Sequence, residues 1–233
     1  MNEIADDGTT VTRHVSTRVV AEVGRTGIIA ILRGNLKGKE TEIAQALLSS
    51  GITVLEITMN SPNALQNLST IRNKVGASLI IGAGTVLRHE EVAKAHDAGA
   101  QFIVSPNYSP DVIRATKRFG MASFPGCSTC TEMLQAVGQG ADAVKVFPAT
   151  TLKPEGVRAV LASLGQLRLI PTGGVTAFNA AEYFAAGAWA LGVGSALIDE
   201  ESVEDPDEVR VRGEVFVSIV ASSKDKYGQS KSK

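Results

Sequence analysis

The sequence predicts an α/β protein of the (β/α)8 (TIM) barrel class with an extra N-terminal helix. Short β-branched runs alternate with helical stretches eight times from Gly27 onward. The runs are apolar on both faces, as in a parallel sheet covered by helices. An open doubly wound sheet is the alternative, but its GxGxxG fingerprint is missing after the first strand, where the sequence reads RGNLKGKE.

Each predicted element follows from hydrophobic periodicity and from turn residues. The strands are expected at 27–32, 53–58, 79–84, 101–105, 121–126, 142–147, 167–172 and 188–194. The helices are expected at 39–50, 61–75, 89–98, 109–119, 130–139, 154–164, 177–186 and 205–222. Glycines that follow predicted helices indicate left-handed caps, at Gly51, Gly99, Gly140 and Gly187. Two Ser-Pro pairs indicate helix N-termini, Ser61-Pro62 and Ser109-Pro110.

The length of 233 residues suits one domain. We predict an N-terminal extension at 1–26, whose run VSTRVVAEV forms a helix that plugs the bottom of the barrel. The barrel itself is predicted at 27–222, and a frayed tail at 223–233.

The composition excludes several classes of function. With 44% hydrophobic residues and a net charge of −1, the chain is neither disordered nor basic enough to indicate a nucleic-acid partner. No apolar run approaches the roughly 20 residues that span a bilayer, and the acidic, polar N-terminus does not resemble a signal peptide. We therefore expect a cytoplasmic protein with no membrane partner.

The two cysteines form a CSTC motif, Cys127 and Cys130, whose spacing suits redox chemistry or half a zinc site. A zinc site needs four ligands, and the sequence offers neither a second CxxC nor a histidine pair nearby. We therefore interpret the spacing as chance in a strand-to-helix loop and expect no metal.

Two charged residues interrupt apolar strands, Lys145 in AVKVF and Glu56 in VLEIT. Strand alternation directs both side chains to the barrel interior. Glu56 lies on the second predicted strand and Lys145 on the sixth, and even-numbered strands contribute side chains to the same interior layer. Burial penalises the ammonium form of lysine, so Lys145 is a candidate nucleophile that attacks a ketone to form an imine. Glu56 is the candidate general acid and base. The alternative is a buried structural ion pair.

Glycine loops predict a phosphate site. PTGGV and GVGSA follow the last two strands, where barrels commonly bind phosphate through backbone N–H groups. The candidate residues are Gly173, Gly174, Gly194 and Ser195. Arg33, directly after the first strand, could contact a carboxylate or a phosphate. A third glycine turn, GAGT, ends at Thr85 and is not a P-loop, because no GK[ST] follows.

The chain resembles the 2-keto-3-deoxy-6-phosphogluconate (KDPG) and 4-hydroxy-2-oxoglutarate (KHG) aldolase family, including its 6-phosphogalactonate branch. The phrases that carry the resemblance run from about residue 27 to 197: IIAILRGN, VLEITMNSP, IIGAGTVL, FIVSPN, FPGCSTCTE, AVKVFPA, LIPTGGV and GVGSALI. The resemblance implies Lys145 as the Schiff-base lysine and Glu56 as the proton-transferring residue. It further implies Thr85 and Arg33 at the pyruvate carboxylate, Pro106 and Phe147 in the pocket wall, and the glycine loops with Ser195 at the phosphate.

The resemblance also implies a homotrimer that takes small-molecule substrates and uses neither a metal nor a cofactor. The expected reaction is reversible cleavage of a 2-keto-3-deoxy-6-phospho sugar acid to pyruvate and glyceraldehyde 3-phosphate, as in the Entner-Doudoroff pathway. Asn60, in TMNSP, replaces an arginine that many phosphogluconate aldolases use on the carboxylate. The phrases NSP, SPN and PGC together resemble the galactonate branch, but the sequence leaves the epimer open. A 4-hydroxy-2-oxoglutarate aldolase and a noncatalytic phosphate-binding barrel remain alternatives.

Overall fold

A computed structural model describes residues 9–228, with side chains described for residues 15–226. Its strands are β1 Ile28–Leu32, β2 Val54–Thr58, β3 Ile80–Gly84, β4 Phe102–Val104, β5 Ala122–Phe124, β6 Gly126–Cys127, β7 Val144–Val146, β8 Leu169–Pro171 and β9 Leu191–Val193. Its α-helices are α1 Thr9–Thr26, α2 Glu40–Ser50, α3 Ala64–Val75, α4 His89–Asp97, α5 Pro110–Arg118, α6 Cys130–Gly138, α7 Ala149–Ser163, α8 Ala180–Ala185, α9 Glu200–Glu204 and α10 Pro206–Gly228.

All strand pairs of the described chain are parallel, which confirms the predicted α/β class. One sheet has the order β5-β4-β3-β2-β1-β9 and the other the order β6-β7-β8. A single parallel bridge between Thr172 and Gly192 connects the end of β8 to β9. The predicted fifth strand, 121–126, was wrong as one element. Pro125 divides it into β5 and β6, because proline has no N–H to donate to a sheet ladder.

The buried side chains form two layers that follow strand alternation. Along β2, Val54 belongs to an inner cluster, whereas Leu55 and Ile57 belong to an outer cluster that packs against the helices. Inside the curled sheet the rings of Phe102 and Phe124 lie 5.6 Å apart, centroid to centroid. Each strand therefore contributes one face to the interior and one to the helix layer.

Helix α1 packs across the amino ends of the strands. Val19 and Val23 are fully buried in the inner cluster. The carboxylate of Glu22 accepts a hydrogen bond from Thr53, the residue before β2, and Ser16 donates to Asp142, two residues before β7. The opposite face, where the strands end, is thus left for the loops that carry the candidate site residues.

Local signals in the sequence were partly right. Gly51, Gly99, Gly140 and Gly187, expected to cap helices, all have positive φ between 94° and 100°. Ser109 caps α5, with its hydroxyl accepting a hydrogen bond from the Val112 N–H. Ser61 was wrongly predicted as an N-cap. Its hydroxyl accepts from the Gly34 N–H and contacts Thr58 Oγ1, so the helix begins three residues later, at Ala64.

The ends of the chain differ from the prediction. Residues 223–228, which the sequence assigned to a frayed tail, continue α10. Within the tail, 229–233 lies outside the described residues, as does 1–8 of the predicted extension. Helix α9 was not predicted. Within 9–228 there is no helix that is both long and apolar enough to cross a membrane.

Candidate active site

Lys145 on β7 and Glu56 on β2 meet inside the curled sheet. The Lys145 Nζ atom lies 3.8 Å from Glu56 Oε1, and the two residues are 4% and 2% exposed. Glu56 Oε1 is fully buried, yet no hydrogen-bond donor of the described residues reaches it. A buried carboxylate oxygen in this state is unusual, and it can accept a proton or a hydrogen bond from a bound molecule.

Small residues and one ring surround the pair. A Cβ atom at Gly84, at the end of β3, would overlap the carboxylate of Glu56, so the glycine leaves the space that this side chain fills. Gly126 lies beside Lys145 in the β6–β7 register. The Lys145 ammonium lies 5.1 Å from the centroid of the Phe147 ring, within range of a cation–π contact.

A cavity of about 330 Å³, lined in part by Phe147, opens at the carboxyl ends of β1, β8 and β9. Its wall includes most of the candidate binding residues, namely Arg33, Phe147, Gly173, Gly174, Gly194 and Ser195. Gly173 and Gly174 have φ of 87° and 82°, a backbone conformation that glycine adopts without strain. The two glycine loops therefore form one cavity with a single cation, Arg33, in its described wall.

Three other candidate residues lie outside this wall. Thr85 follows β3 and has a φ of 57°, which is rare for a β-branched residue and indicates local strain. Pro106 follows β4, and its carbonyl group packs so closely against Gly126 that a Cβ there would overlap it. Asn60 follows β2 and is exposed. All three lie after the carboxyl ends of their strands, but the structure does not bring them into the cavity.

Sequence reasoning missed several residues of the cavity wall, including Thr172, Ile198, Asp199 and Glu200. Asp199 accepts a hydrogen bond from the Ser202 N–H and a second from Arg212, and these interactions lower the pKa of Asp199 to about 2. The available signal was the acidic run DEE that follows GVGSALI directly.

Cys127, the buried cysteine of the CSTC motif, does not carry a reactive thiol. Burial raises the pKa of the Cys127 thiol to about 12, so the thiolate form that reacts and binds metals is disfavoured. Cys130 is exposed and is not bonded to Cys127. No group of three or more His, Cys, Asp or Glu side chains in the described part of the chain could hold a metal ion.

The family model for aldolases described as "KDPG and KHG aldolase" matches residues 19–213. The chain belongs to this family. It is 43% identical, over 73% of its length and 81% of the relative's, to a probable 2-dehydro-3-deoxy-6-phosphogalactonate aldolase of Rhizobium meliloti (strain 1021). It is 38% identical to the 2-dehydro-3-deoxy-6-phosphogalactonate aldolase of Escherichia coli (strain K12), over 73% and 83% of the two chains.

Several solved structures share the fold. A structure described as native KDPGal has a TM-score of 0.80 at 35% identity and covers 85% of this chain and 96% of its own. A cage designed by fusing symmetric oligomeric domains has a TM-score of 0.83 at 34% identity, and the match covers 89% of this chain and 76% of the cage chain. The KDPG aldolase of Legionella pneumophila, captured with pyruvate as a covalent carbinolamine, has a TM-score of 0.76 at 26% identity, over 86% and 97%.

Proposed function

We propose that this chain is a class I aldolase that reversibly cleaves a 2-keto-3-deoxy-6-phospho sugar acid to pyruvate and glyceraldehyde 3-phosphate. The observation that carries the proposal is the buried Lys145 amine 3.8 Å from the Glu56 carboxylate. The two residues provide a nucleophile and a proton acceptor within reach of one bound ketone. Family membership supports this use over a purely structural ion pair.

The reaction runs through a covalent imine. The neutral amine of Lys145 attacks the C2 ketone to give a carbinolamine, which loses water to form an iminium ion. Glu56 removes the proton from the C4 hydroxyl, the C3–C4 bond breaks, and its electron pair passes into the iminium group to give an enamine. The aldehyde leaves, C3 regains a proton, and hydrolysis of the imine releases pyruvate and the free lysine.

We assign the cavity lined by Phe147 and the two glycine loops to the phosphate end of the substrate. Gly173, Gly174 and Gly194 offer backbone N–H groups, and Ser195 adds a hydroxyl. Because Arg33 lines the same cavity, we assign its positive charge to this end of the substrate and not to the pyruvate carboxylate, where the family resemblance placed it. Thr85, Pro106 and Asn60 are left for the pyruvate end. Binding energy from the phosphate then orients the C3–C4 bond at the lysine.

The galactonate epimer is the substrate that we would assay first. The relatives at 43% and 38% identity are both named as phosphogalactonate aldolases, and Asn60 departs from the arginine of the gluconate branch. A KHG/KDPG aldolase of Escherichia coli (strain K12) is less similar, at 33% identity, so cleavage of unphosphorylated 4-hydroxy-2-oxoglutarate is not favoured.

We also propose that the two sheets form one closed (β/α)8 barrel whose amino end is plugged by α1. The Thr172–Gly192 bridge and the inner cluster shared by α1 and the strands support this reading. The barrel domain is assigned to residues 27–222. A cytoplasmic homotrimer is the proposed assembly, supported by similarity to a protein fused from symmetric oligomeric domains.

Borohydride reduction in the presence of pyruvate tests the mechanism. The expected result is one reduced adduct, mapped by mass spectrometry to Lys145, and no adduct in Lys145→Arg, which retains the positive charge. Lys153→Arg, at an exposed lysine on α7, is the matched control and should be labelled like the parent protein. An active preparation that forms no adduct would overturn the proposal. Phosphate binding without any turnover would favour a noncatalytic barrel.

A further inference from the structure

The cavity assigned to phosphate contains carboxylates in its own wall. Asp199 and Glu200 line it together with the glycine loops, and Arg33 is the one cationic residue of the described lining. A carboxylate a few ångströms from a phosphate dianion repels it unless the carboxylate is compensated. Glu200 is exposed, so solvent and salt screen its charge. Asp199 is only partly exposed, with 34% of its side chain accessible, and its charge is therefore the larger obstacle.

Protonation cannot remove the charge of Asp199. The carboxylate caps α9 by accepting a hydrogen bond from the Ser202 N–H at 2.9 Å, and its other oxygen accepts one from Arg212 Nη1 at 2.7 Å. These contacts lower the pKa of Asp199 to about 2, far below the pH at which phosphorylated sugars are metabolised. The aspartate stays negative, and Arg212 is the cation that contacts it among the described residues.

We infer that Arg212 is a positioning residue that allows the cavity of the two glycine loops to bind a phosphate group. It lies on α10 outside the cavity wall, and it acts by pairing with the Asp199 carboxylate. The inference rests on the proposed function, because it presumes that the cavity binds the phosphate end of the substrate. A second nitrogen of the guanidinium, Nη2, pairs with Glu208, which is not part of the wall.

Other basic residues near α9 do not take over this role. Lys37 pairs with the Glu204 carboxylate, and Lys39 donates to the Glu204 carbonyl at 2.6 Å. Glu204 is the last residue of α9 and is outside the cavity wall. These contacts fasten the loop after β1 to the far end of α9, whereas the negative charge in the wall lies at its beginning.

The test compares two arginines of the same helix. Arg212→Met removes the partner of Asp199. Arg210→Met is the matched control, because Arg210 pairs with Asp207 and Glu214, neither of which lines the cavity. Arg212→Met should raise KM for the phosphorylated substrate by about 5-fold with little change in kcat, an effect that 0.5 M NaCl should reduce. The pyruvate concentration that half-saturates borohydride trapping should not change, since pyruvate carries no phosphate.

A second variant distinguishes an effect of the Asp199 charge from an effect on the structure of the α9 region. In the Arg212→Met background, Asp199→Asn retains a side-chain oxygen that caps α9 but removes the negative charge. It should return KM for the phosphorylated substrate to within about 2-fold of the parent value, because the repulsion is gone. If Arg212 only stabilised the α9 region, the double variant would be no better than Arg212→Met, and the inference would fail. Equal KM values in Arg212→Met and Arg210→Met would also overturn it.

Titration with inorganic phosphate keeps this inference distinct from the proposed function. Phosphate should bind the parent protein and the double variant, and bind Arg212→Met more weakly. If that pattern appears in a protein that cleaves no sugar acid, the proposed function fails and the role of Arg212 stands. If the protein cleaves the substrate but phosphate binds the parent protein, Arg212→Met and the double variant equally well, the role of Arg212 fails alone.

Discussion

The carboxylate of Glu56 fills the space that a side chain at Gly84 would occupy. A Cβ atom built on Gly84 overlaps Oε1, Cδ and Cγ of Glu56. The two residues lie on neighbouring strands, β2 and β3, and the register pairs Glu56 with Gly82 and Thr58 with Gly84. The position of the carboxylate, 3.8 Å from the lysine amine, therefore depends on the absence of a methyl group on the next strand.

Gly84→Ala should lower kcat by about 100-fold while the protein remains folded, because a displacement of about 1 Å at a catalytic group has an effect of this size. The Glu56 side chain can rotate away from the new methyl group, but it then leaves the amine. Steady-state turnover and circular dichroism would measure the two effects. Gly138→Ala is the control. A Cβ there meets no atom within 4 Å, so activity should match the parent protein. Retention of full turnover by Gly84→Ala would contradict the prediction.

The Lys145–Glu56 pair should cost stability as well as provide chemistry. Lys145→Met alone leaves a buried carboxylate without a partner and should lower the free energy of unfolding by about 3 kcal/mol. The double variant Lys145→Met, Glu56→Leu removes both charges and should be inactive but at least as stable as the parent protein. Urea denaturation of the three proteins measures the differences. A double variant less stable than Lys145→Met would show that the pair is mainly a structural element.

Thr85 combines a strained backbone with a hydroxyl at the proposed pyruvate end. Thr85→Asn should raise the free energy of unfolding by about 1 kcal/mol, because asparagine tolerates a positive φ better than a β-branched residue does. Thr85→Val keeps the strain and removes only the hydroxyl. It should leave stability unchanged and raise KM for pyruvate in the trapping assay. Thermal unfolding and trapping together separate the two roles. A threonine that is replaced by valine without any change in KM has no part in binding.

Glu22 makes the stability of the α1 contact depend on pH. The hydrogen bond from Arg25 is the largest cause that lowers the pKa of Glu22 to about 2, from 4.5, with a further contribution from Thr53. A lowered pKa means that the stabilisation is complete above pH 4.5 and is lost as the pH falls towards 2. Because Arg25 is largely exposed, screening reduces the effect to about 1 to 2 kcal/mol.

Glu22→Gln should therefore be less stable than the parent protein at pH 7, and the difference should disappear as the pH approaches 2. Urea denaturation at pH 7, 5, 3 and 2 measures it. Glu42→Gln, at an exposed position on α2, is the control and should show no such trend. A constant difference between Glu22→Gln and the parent protein across this range would contradict the assignment.

Periodicity predicted the fold because each strand and helix repeats a local pattern. It could not predict the break at Pro125, because the residues around it, MASFPG, are as apolar as those of an intact strand. It also misread Ser61, since the hydroxyl bonds to Gly34, 27 positions earlier in the chain, and this contact exists only after β1 and β2 pair. Local signals therefore identified the elements, and a long-range contact decided where α3 begins.

The candidate site followed the same division. Lys145 and Glu56 were recognisable in the sequence as charges within apolar strands, and strand alternation alone predicted that both side chains point inward. Asp199 and Arg212 were not visible, because an acidic run and a helical arginine are ordinary surface features in a sequence. Their meaning depends on the way that α10 packs beside α9, which no local pattern contains.

Lys224 fastens the last described helix to the first. Its ammonium donates hydrogen bonds to the carbonyl groups of Gly24 and Arg25 at 2.7 and 2.6 Å, at the carboxyl end of α1. This clasp lies on the face opposite the cavity. Substitutions in the loops that line the cavity can therefore change the choice of sugar acid without disturbing the contact between α10 and α1.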